Sequence, residues 1–239
     1  GPGLGVNTSV GLMFYPNMIN DTVSRTPTTP DVCLNTAGVT PMAVLGDNNP
    51  GTHRTLLRSR LTEAVLGRGT PSADAYEYAL NNIVLSPAQL IIPGDAYILL
   101  ITDGIPTLRR GCYNPAGNLN NLPDGGNEVV DLIRTAWSQH QVKTFAIGSP
   151  GSESERWWLS QGAFEGQTAA ANCNPNNRNG PYCHMDMTEA PDFSVALAQG
   201  LQQVANAVSG CKFEIPQTSV DGSQQVDINL TNPIITYGD

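Results

Sequence analysis

The stretch AYILLIT, residues 96–102, is followed at once by Asp103 and Gly104, and it decides the fold. An antiparallel strand with one wet face alternates apolar and polar residues, whereas a parallel strand covered on both faces is apolar throughout. We therefore predict that residues 96–102 form a buried strand of a parallel sheet. A second strand is predicted at residues 142–148, VKTFAIG, directly after a helical pattern over residues 127–140.

Strand and helix patterns also alternate before residue 96 and after residue 148. Further strands are predicted at residues 8–15, 39–45 and 182–187, and further helices at residues 55–66, 70–85, 153–161 and 191–209. Strands separated by helices in this order indicate an α/β fold, a doubly wound and mostly parallel sheet with helices on both faces.

Apolar side chains at helical spacing predict which helix faces are buried. In the helix over 55–66 this stripe consists of Leu56, Leu57, Leu61, Ala64 and Val65. In the helix over 191–209 it consists of Phe193, Leu197, Leu201, Val204 and Val208. Thr70 stands where an N-cap belongs, with Pro71 at the first helical position.

The sequence changes character after residue 210. KFEIP, QQVDINL and PIITYG resemble short strands separated by Pro and Asp-Gly turns. We predict one domain over residues 1–210, with a long insert at 16–53, followed by a small β-rich tail or the start of another domain at 211–239.

Charge and cysteine content narrow the function classes. The 239 residues include 12 Lys and Arg against 21 Asp and Glu, a net charge of −9, with no basic stripe. This composition argues against nucleic acid and anionic membranes as partners and is compatible with a bound cation. Five cysteines without a C-x-x-C pair fit disulfides in an oxidising compartment, and Cys173 with Cys183 is the first choice for a pair. No apolar run is long enough to span a membrane.

Asp103 and Thr70 are the candidate metal ligands. In a parallel sheet, ligands bind beyond the carboxyl ends of the strands, where Asp103 follows a buried strand and Thr70 follows a Gly-Arg-Gly loop. A carboxylate, a hydroxyl and waters form the hard oxygen shell that Mg²⁺ takes. The alternative is that Asp103 only makes an Asp-Gly turn and Thr70 only caps a helix.

The segments GLMFYP, GRGTPSADAYEYA, YILLITDGIPT and VKTFAIG, and the late helix ending at CKFEIP, occur in the order seen in von Willebrand factor type A domains. The chain resembles secreted bacterial members of that family over roughly residues 8–210. The resemblance implies a non-enzymatic adhesion module, secreted or at the cell surface. In that family, a divalent cation at a metal-ion-dependent adhesion site is completed by an acidic group of a protein or glycan partner.

Carried over to this chain, the resemblance makes Thr70 and Asp103 ligands of Mg²⁺, or of Ca²⁺ or Mn²⁺. The family's first strand, with its Asp-x-Ser-x-Ser motif, is not found before residues 8–15; the nearest look-alike is Asp221-Gly222-Ser223. That strand is expected between strands 8–15 and 96–102. It is omitted from the sequence, cleaved off as a separate chain, or supplied by another subunit.

The missing strand motivates a second hypothesis, a structural subunit of a surface filament, pilus or matrix completed by a neighbouring chain. A metal-dependent hydrolase on the same fold ranks last, because no candidate base or paired carboxylates accompany Thr70 and Asp103.

Overall fold

Strands and helices alternate along the chain, as the sequence predicts. The computed structural model describes residues 4–16, 34, 36–65, 69–87, 94–112 and 124–209. In chain order the main elements are β1 (Ser9–Leu12), β2 (Thr40–Val44), α1 (His53–Glu63), α2 (Ser72–Tyr78), β3 (Tyr97–Thr102), α3 (Gly125–His140), β4 (Lys143–Gly148), α4 (Arg156–Glu165), β5 (Met185–Asp186) and α5 (Phe193–Ser209). The predicted tail at 211–239 and residues 17–33 and 35 of the insert predicted at 16–53 lie outside the described residues.

The centre of the fold is a three-stranded parallel sheet in the order β3-β4-β5. Tyr97 to Thr102 of β3 stand opposite Lys143 to Gly148 of β4 without a break in register. The parallel arrangement predicted from the apolar run is confirmed. Its coverage is less complete than predicted, because Ile98, Leu100 and Thr102 are buried while Ile101 on the other face is 38% exposed.

Helices flank both faces of this sheet. On one face, the Tyr76 hydroxyl of α2 hydrogen bonds to the Thr144 hydroxyl of β4 at 2.7 Å. On the other face, Gly200 of α5 lies against Ile147, three positions along β4. Side chains an odd number of positions apart on a strand point to opposite faces. The described residues therefore form an α/β fold with a parallel sheet between helices, an arrangement compatible with a Rossmann-like fold.

The hydrophobic core lies where α2, α3 and α4 meet β3 and β4. Its fully buried members include Tyr76, Val129, Ile133, Leu159 and Ala136. α2 continues as a π-helical segment, Ala79–Val84, so the buried stripe of residues 70–85 differs from a regular helix. Tyr76 and Leu80 are buried there, whereas Tyr78 is only partly buried.

A small antiparallel sheet, β1 with β2, accompanies the parallel sheet. The helix that follows it, α1, has the predicted position, but the prediction of a buried apolar face is wrong, since none of its residues is buried. Polar groups anchor it instead: His53 Nε2 bonds to the Val10 carbonyl at 2.6 Å, and Arg54 donates to the Leu4 carbonyl at 2.9 Å.

The last helix, α5, also departs from its predicted stripe. Val204 is buried as predicted, but Leu201 is 40% exposed, and burial instead centres on Gly200, Val204 and Ala205. Small residues let this helix approach the sheet closely, so its larger apolar side chains lie at the edges of the contact. Within the described residues, no helix has the length and apolar character needed to cross a membrane.

The predicted disulfide between Cys173 and Cys183 is confirmed. It closes an Asn-rich loop against the core, where Cys183 is buried. Such a bridge is compatible with a secreted protein.

Candidate functional site

Two loops meet at the carboxyl end of β3. The Thr70 N–H donates to the Thr107 hydroxyl at 2.7 Å, and the Thr107 N–H donates back to the Thr70 carbonyl at 3.2 Å. This reciprocal pair joins the loop before α2 to the loop that begins with Asp103. The structure therefore brings both predicted metal-ligand loops to one edge of the sheet.

The Asp103 side chain is exposed to solvent. Within the described residues its carboxylate makes no hydrogen bond or ion pair. Thr102 makes the turn at this point: its hydroxyl accepts from the Gly104 N–H at 3.4 Å and lies 3.2 Å from the Gly104 carbonyl. The Asp103 carboxylate therefore takes no part in this turn.

Thr70 does not cap α2. The N-cap of this helix is Pro71, and no side chain bonds to its first N–H groups. The prediction of Thr70 as N-cap and Pro71 as first helical residue is wrong by one position, because the backbone of Thr70 is engaged with Thr107 instead. The Thr70 hydroxyl makes no hydrogen bond within the described residues and remains available to a ligand.

Tyr15 is a residue of this region that the sequence analysis did not single out. Its hydroxyl donates to the Ile101 carbonyl at 3.2 Å. Burial raises the pKa of Tyr15 strongly, the nearby Thr102 and Ser72 side chains oppose the shift, and the charge of Asp103 adds to it. Tyr15 thus connects the segment after β1 with the end of β3. The sequence places Tyr15 just before Pro16, at the end of a predicted strand, and this position could have indicated that Tyr15 lies at the edge of the sheet.

Ser72 is a second residue that sequence reasoning missed. It is completely buried, and its hydroxyl makes no hydrogen bond of ordinary length within the described residues. It still lies near enough to the Tyr15 hydroxyl to influence that group's pKa. A buried hydroxyl without a short partner is costly, so this position favours an additional acceptor or donor nearby.

A third loop, residues 149–152 after β4, borders Asp103. Ser149 donates to the Thr102 carbonyl from both its N–H and its hydroxyl, each at 3.0 Å. Gly151 has a φ of +108°, and a Cβ added there would lie 2.5 Å from the Asp103 carbonyl oxygen. The close approach requires glycine, and it fixes the backbone of Asp103 while leaving its side chain free.

Charged groups hold residues 109–112 of the loop that follows Asp103. The Asp74 carboxylate accepts from the N–H groups of Gly111 and Cys112 at 2.8 and 3.0 Å. Burial raises the pKa of Asp74, although both of these backbone bonds lower it. Arg109 bonds to Asp124 at 2.7 Å. These bonds hold the described part of this loop, up to Cys112, against the starts of α2 and α3.

The residues present fit a weakly held hard cation better than an all-protein cage. Thr70 and Asp103 would supply oxygen ligands, and Mg²⁺ commonly keeps several waters and takes only one or two carboxylates from the protein. Across the described part of the chain, no group of three or more His, Cys, Asp or Glu side chains is placed to hold a metal. A cation here would keep open positions for water and for an oxygen of a partner.

Comparisons with protein families, with curated proteins and with solved structures find no match to this chain.

Proposed function

We propose that this chain is a von Willebrand A type binding module, with a doubly wound sheet, that engages a protein or glycan partner through a divalent cation held by Thr70 and Asp103. No covalent step is proposed. The cation supplies positive charge at the edge of the sheet, and the free coordination positions receive an acidic oxygen of the partner. Asp103 and Thr70 orient the cation, while Ser149 and Gly151 hold the backbone beneath it.

The observation that carries this proposal is the pairing of Thr70 with Thr107. It places the Thr70 loop beside the Asp103 loop although the two bonded residues are 37 positions apart. Both candidate side chains are free of the structural roles that common turns and caps would give them. A carboxylate and a hydroxyl that are free of other bonds, on two neighbouring loops at the ligand-binding edge of a parallel sheet, are the kind of oxygen ligands that a hard cation takes.

Paramagnetic Mn²⁺ tests the proposal on the chain as it stands. We expect binding to be weak, because only two side chains of this chain contribute, and amide NMR signals near Thr70 and Gly104 should broaden first. Asp103→Asn and Thr70→Val should remove or sharply reduce this broadening, and excess Mg²⁺ should reverse it in the wild type.

Asp95→Asn is the matched control, since Asp95 precedes β3 and its carboxylate pairs with Lys143 at 2.8 Å. This variant should keep the broadening at Thr70 and Gly104. Broadening that survives Asp103→Asn, or that centres elsewhere, would overturn the assignment. Tight stoichiometric Mg²⁺ binding by the isolated chain would contradict the expected weak affinity.

A second candidate function, a structural subunit completed by a neighbouring chain, is favoured by one observation. β3 pairs only with β4 among the described strands, so its other edge has unpaired backbone groups. Such edges template the addition of another strand. Light scattering under native conditions tests this candidate: a monomer that carries no companion peptide would defeat it, whereas self-association or a retained peptide is the expected result.

A further inference from the structure

We propose that a polar cavity at the carboxyl end of β5 binds a neutral sugar unit of a glycan. The cavity has a volume of about 470 Å³ and shares no residue with the Thr70 and Asp103 loops. All of its lining residues except one carry polar side chains, and they are Arg156, Asn179, Tyr182, Asp186, Glu189 and Ala190. None of these residues contributes to the cation site, so sugar binding here would be a function additional to the one proposed above.

Two neighbouring strands bring residues to this cavity. Asp186 is the last residue of β5, and Arg156 is the first residue of α4, the helix that follows β4. Because β4 and β5 are parallel, the segments after both strands lie at the carboxyl edge of the sheet, where folds of this kind bind ligands. Asn179 and Tyr182 lie in the loop that the disulfide closes. The covalent bridge limits how far this wall of the cavity moves.

Arg156 is held in place by carboxylates and by an aromatic ring. Its Nε donates to Asp186 at 2.9 Å, and its Nη2 donates to Glu189 at 2.7 Å. Nη2 also donates to the Thr188 hydroxyl. The guanidinium carbon lies 5.1 Å from the centre of the Tyr182 ring. Nη1 has no hydrogen-bond partner among the residues that the structure describes, so this pre-oriented nitrogen can donate to a ligand at little cost in side-chain freedom.

The cavity also offers acceptors and a further donor. The side-chain amide of Asn179, an exposed residue, makes no hydrogen bond in the described ranges, and it carries both a donor and an acceptor. Glu189 bonds to Arg156 through one carboxylate oxygen, and its side chain is 83% exposed. A sugar hydroxyl both donates and accepts, so adjacent hydroxyls of a sugar match this mixed set of groups.

The charges of the cavity favour a neutral ligand over an ion. Arg156 contributes one positive charge, whereas Asp186 and Glu189 contribute two negative charges, in a chain of net charge −9. This balance repels a phosphate or a carboxylate, and a second cation would meet Arg156, which already lies over the Tyr182 ring. A polyol avoids both penalties. The cavity volume also lies in the range of about 300–1,000 Å³ that is usual for small-ligand sites.

The test follows amide NMR signals of the whole chain in EDTA while a sugar is added. The probes are methyl α-mannoside, methyl β-galactoside and N,N′-diacetylchitobiose. At least one of them should cause saturable shifts at Asn179, Tyr182 and Asp186, with a dissociation constant of about 1 mM. If none of these sugars shifts those signals at about 10 mM, sugar binding in this cavity is refuted.

An asparagine variant tests the position of the sugar. Asn179→Ala should weaken sugar binding about fivefold or more, because it removes an unpaired amide from the cavity without breaking a side-chain hydrogen bond of the fold. Asn176→Ala is the matched control and should bind like the wild type, since Asn176 is exposed in the same loop and does not line the cavity. Equal binding by Asn179→Ala and the wild type would place the sugar elsewhere and overturn the proposal.

Two further arms test the neutral charge of the ligand and its independence from the cation. Inorganic phosphate and glycine should leave the same signals in place, and stronger binding of either probe than of any sugar would overturn the choice of a neutral ligand. Excess Mg²⁺ in place of EDTA, and the Asp103→Asn variant, should leave the dissociation constant of the sugar unchanged. Sugar binding that requires Mg²⁺ or Asp103 would belong to the cation site instead. Loss of the Mn²⁺ effect, by contrast, bears only on the function proposed above.

Discussion

The buried His184 makes the stability of this fold depend on pH. The side chain is 5% exposed, its Nδ1 lies 3.0 Å from the Ser160 hydroxyl, and its Nε2 has no partner within the described residues. Burial lowers the pKa of His184 from 6.5 to about 4, partly opposed by the charge of Asp186 and reinforced by that of Arg156. The folded state therefore keeps this imidazole neutral in mildly acidic solution.

The sign of the pH effect follows from this lowered pKa. Below pH 6.5 the unfolded chain takes up a proton at His184 while the folded chain does not. The contribution to stability is complete above pH 6.5 and is lost as the pH falls toward the folded-state pKa. Linkage with these two pKa values gives a loss of about 2 kcal/mol by pH 5 and about 3 kcal/mol by pH 4.

The perturbation is His184→Asn, which retains a polar atom near the position of Nδ1. Urea unfolding at pH 7 and pH 5 gives the free energy of unfolding of each variant. Burial also raises the pKa of Asp74 and of Glu155, which acts in the opposite direction in acid, so the informative quantity is the difference from the wild type. The variant should lose about 2 kcal/mol less than the wild type over this interval.

His140→Asn is the matched control, because His140 is exposed at the end of α3. It should follow the wild-type pH dependence. The reasoning is refuted if His184→Asn and the wild type lose the same free energy between pH 7 and pH 5.

Two further predictions concern packing and covalent linkage. Gly126→Ala should lower the free energy of unfolding by about 1–3 kcal/mol, because the new Cβ would lie 2.6 Å from the Trp158 Cβ. Gly5→Ala is the control and should change the free energy of unfolding little, since the nearest atom to its new Cβ would be 3.9 Å away. A Gly126→Ala variant that is more stable than the wild type would contradict the close packing against Trp158. Replacing Cys173 and Cys183 together by Ser opens a loop between residues 10 positions apart, and it should lower the free energy of unfolding, measured with urea, by about 3 kcal/mol. A loss below about 1 kcal/mol would contradict a stabilising role of this disulfide.

The parallel sheet was predictable because its signal is local. The uninterrupted apolar run of β3 and the largely apolar segment of β4 after a helical pattern each report on a single strand, and both strands form where predicted. The disulfide was predictable for a similar reason, since Cys173 and Cys183 bracket a single loop. The short β5 was placed only approximately within residues 182–187, because two paired residues leave little pattern.

Burial was less predictable than secondary structure. The apolar stripe of α1 marks a helix correctly, yet no residue of that helix is buried, because burial depends on what the rest of the chain places opposite. His184 shows the reverse case. With Asp186 it has the spacing typical of a polar surface pair, but the loop closed by the disulfide carries it into the interior.

The sequence by itself determined that Asp103 ends a buried strand and that Thr70 precedes a helix, because strand length and helix starts are encoded by neighbouring residues. Only the tertiary structure decided that the two loops touch, through Thr70 and Thr107, and that Tyr15 closes the edge of β3 beside them. Contacts between distant segments depend on how whole elements pack, and no local pattern of residues specifies that packing.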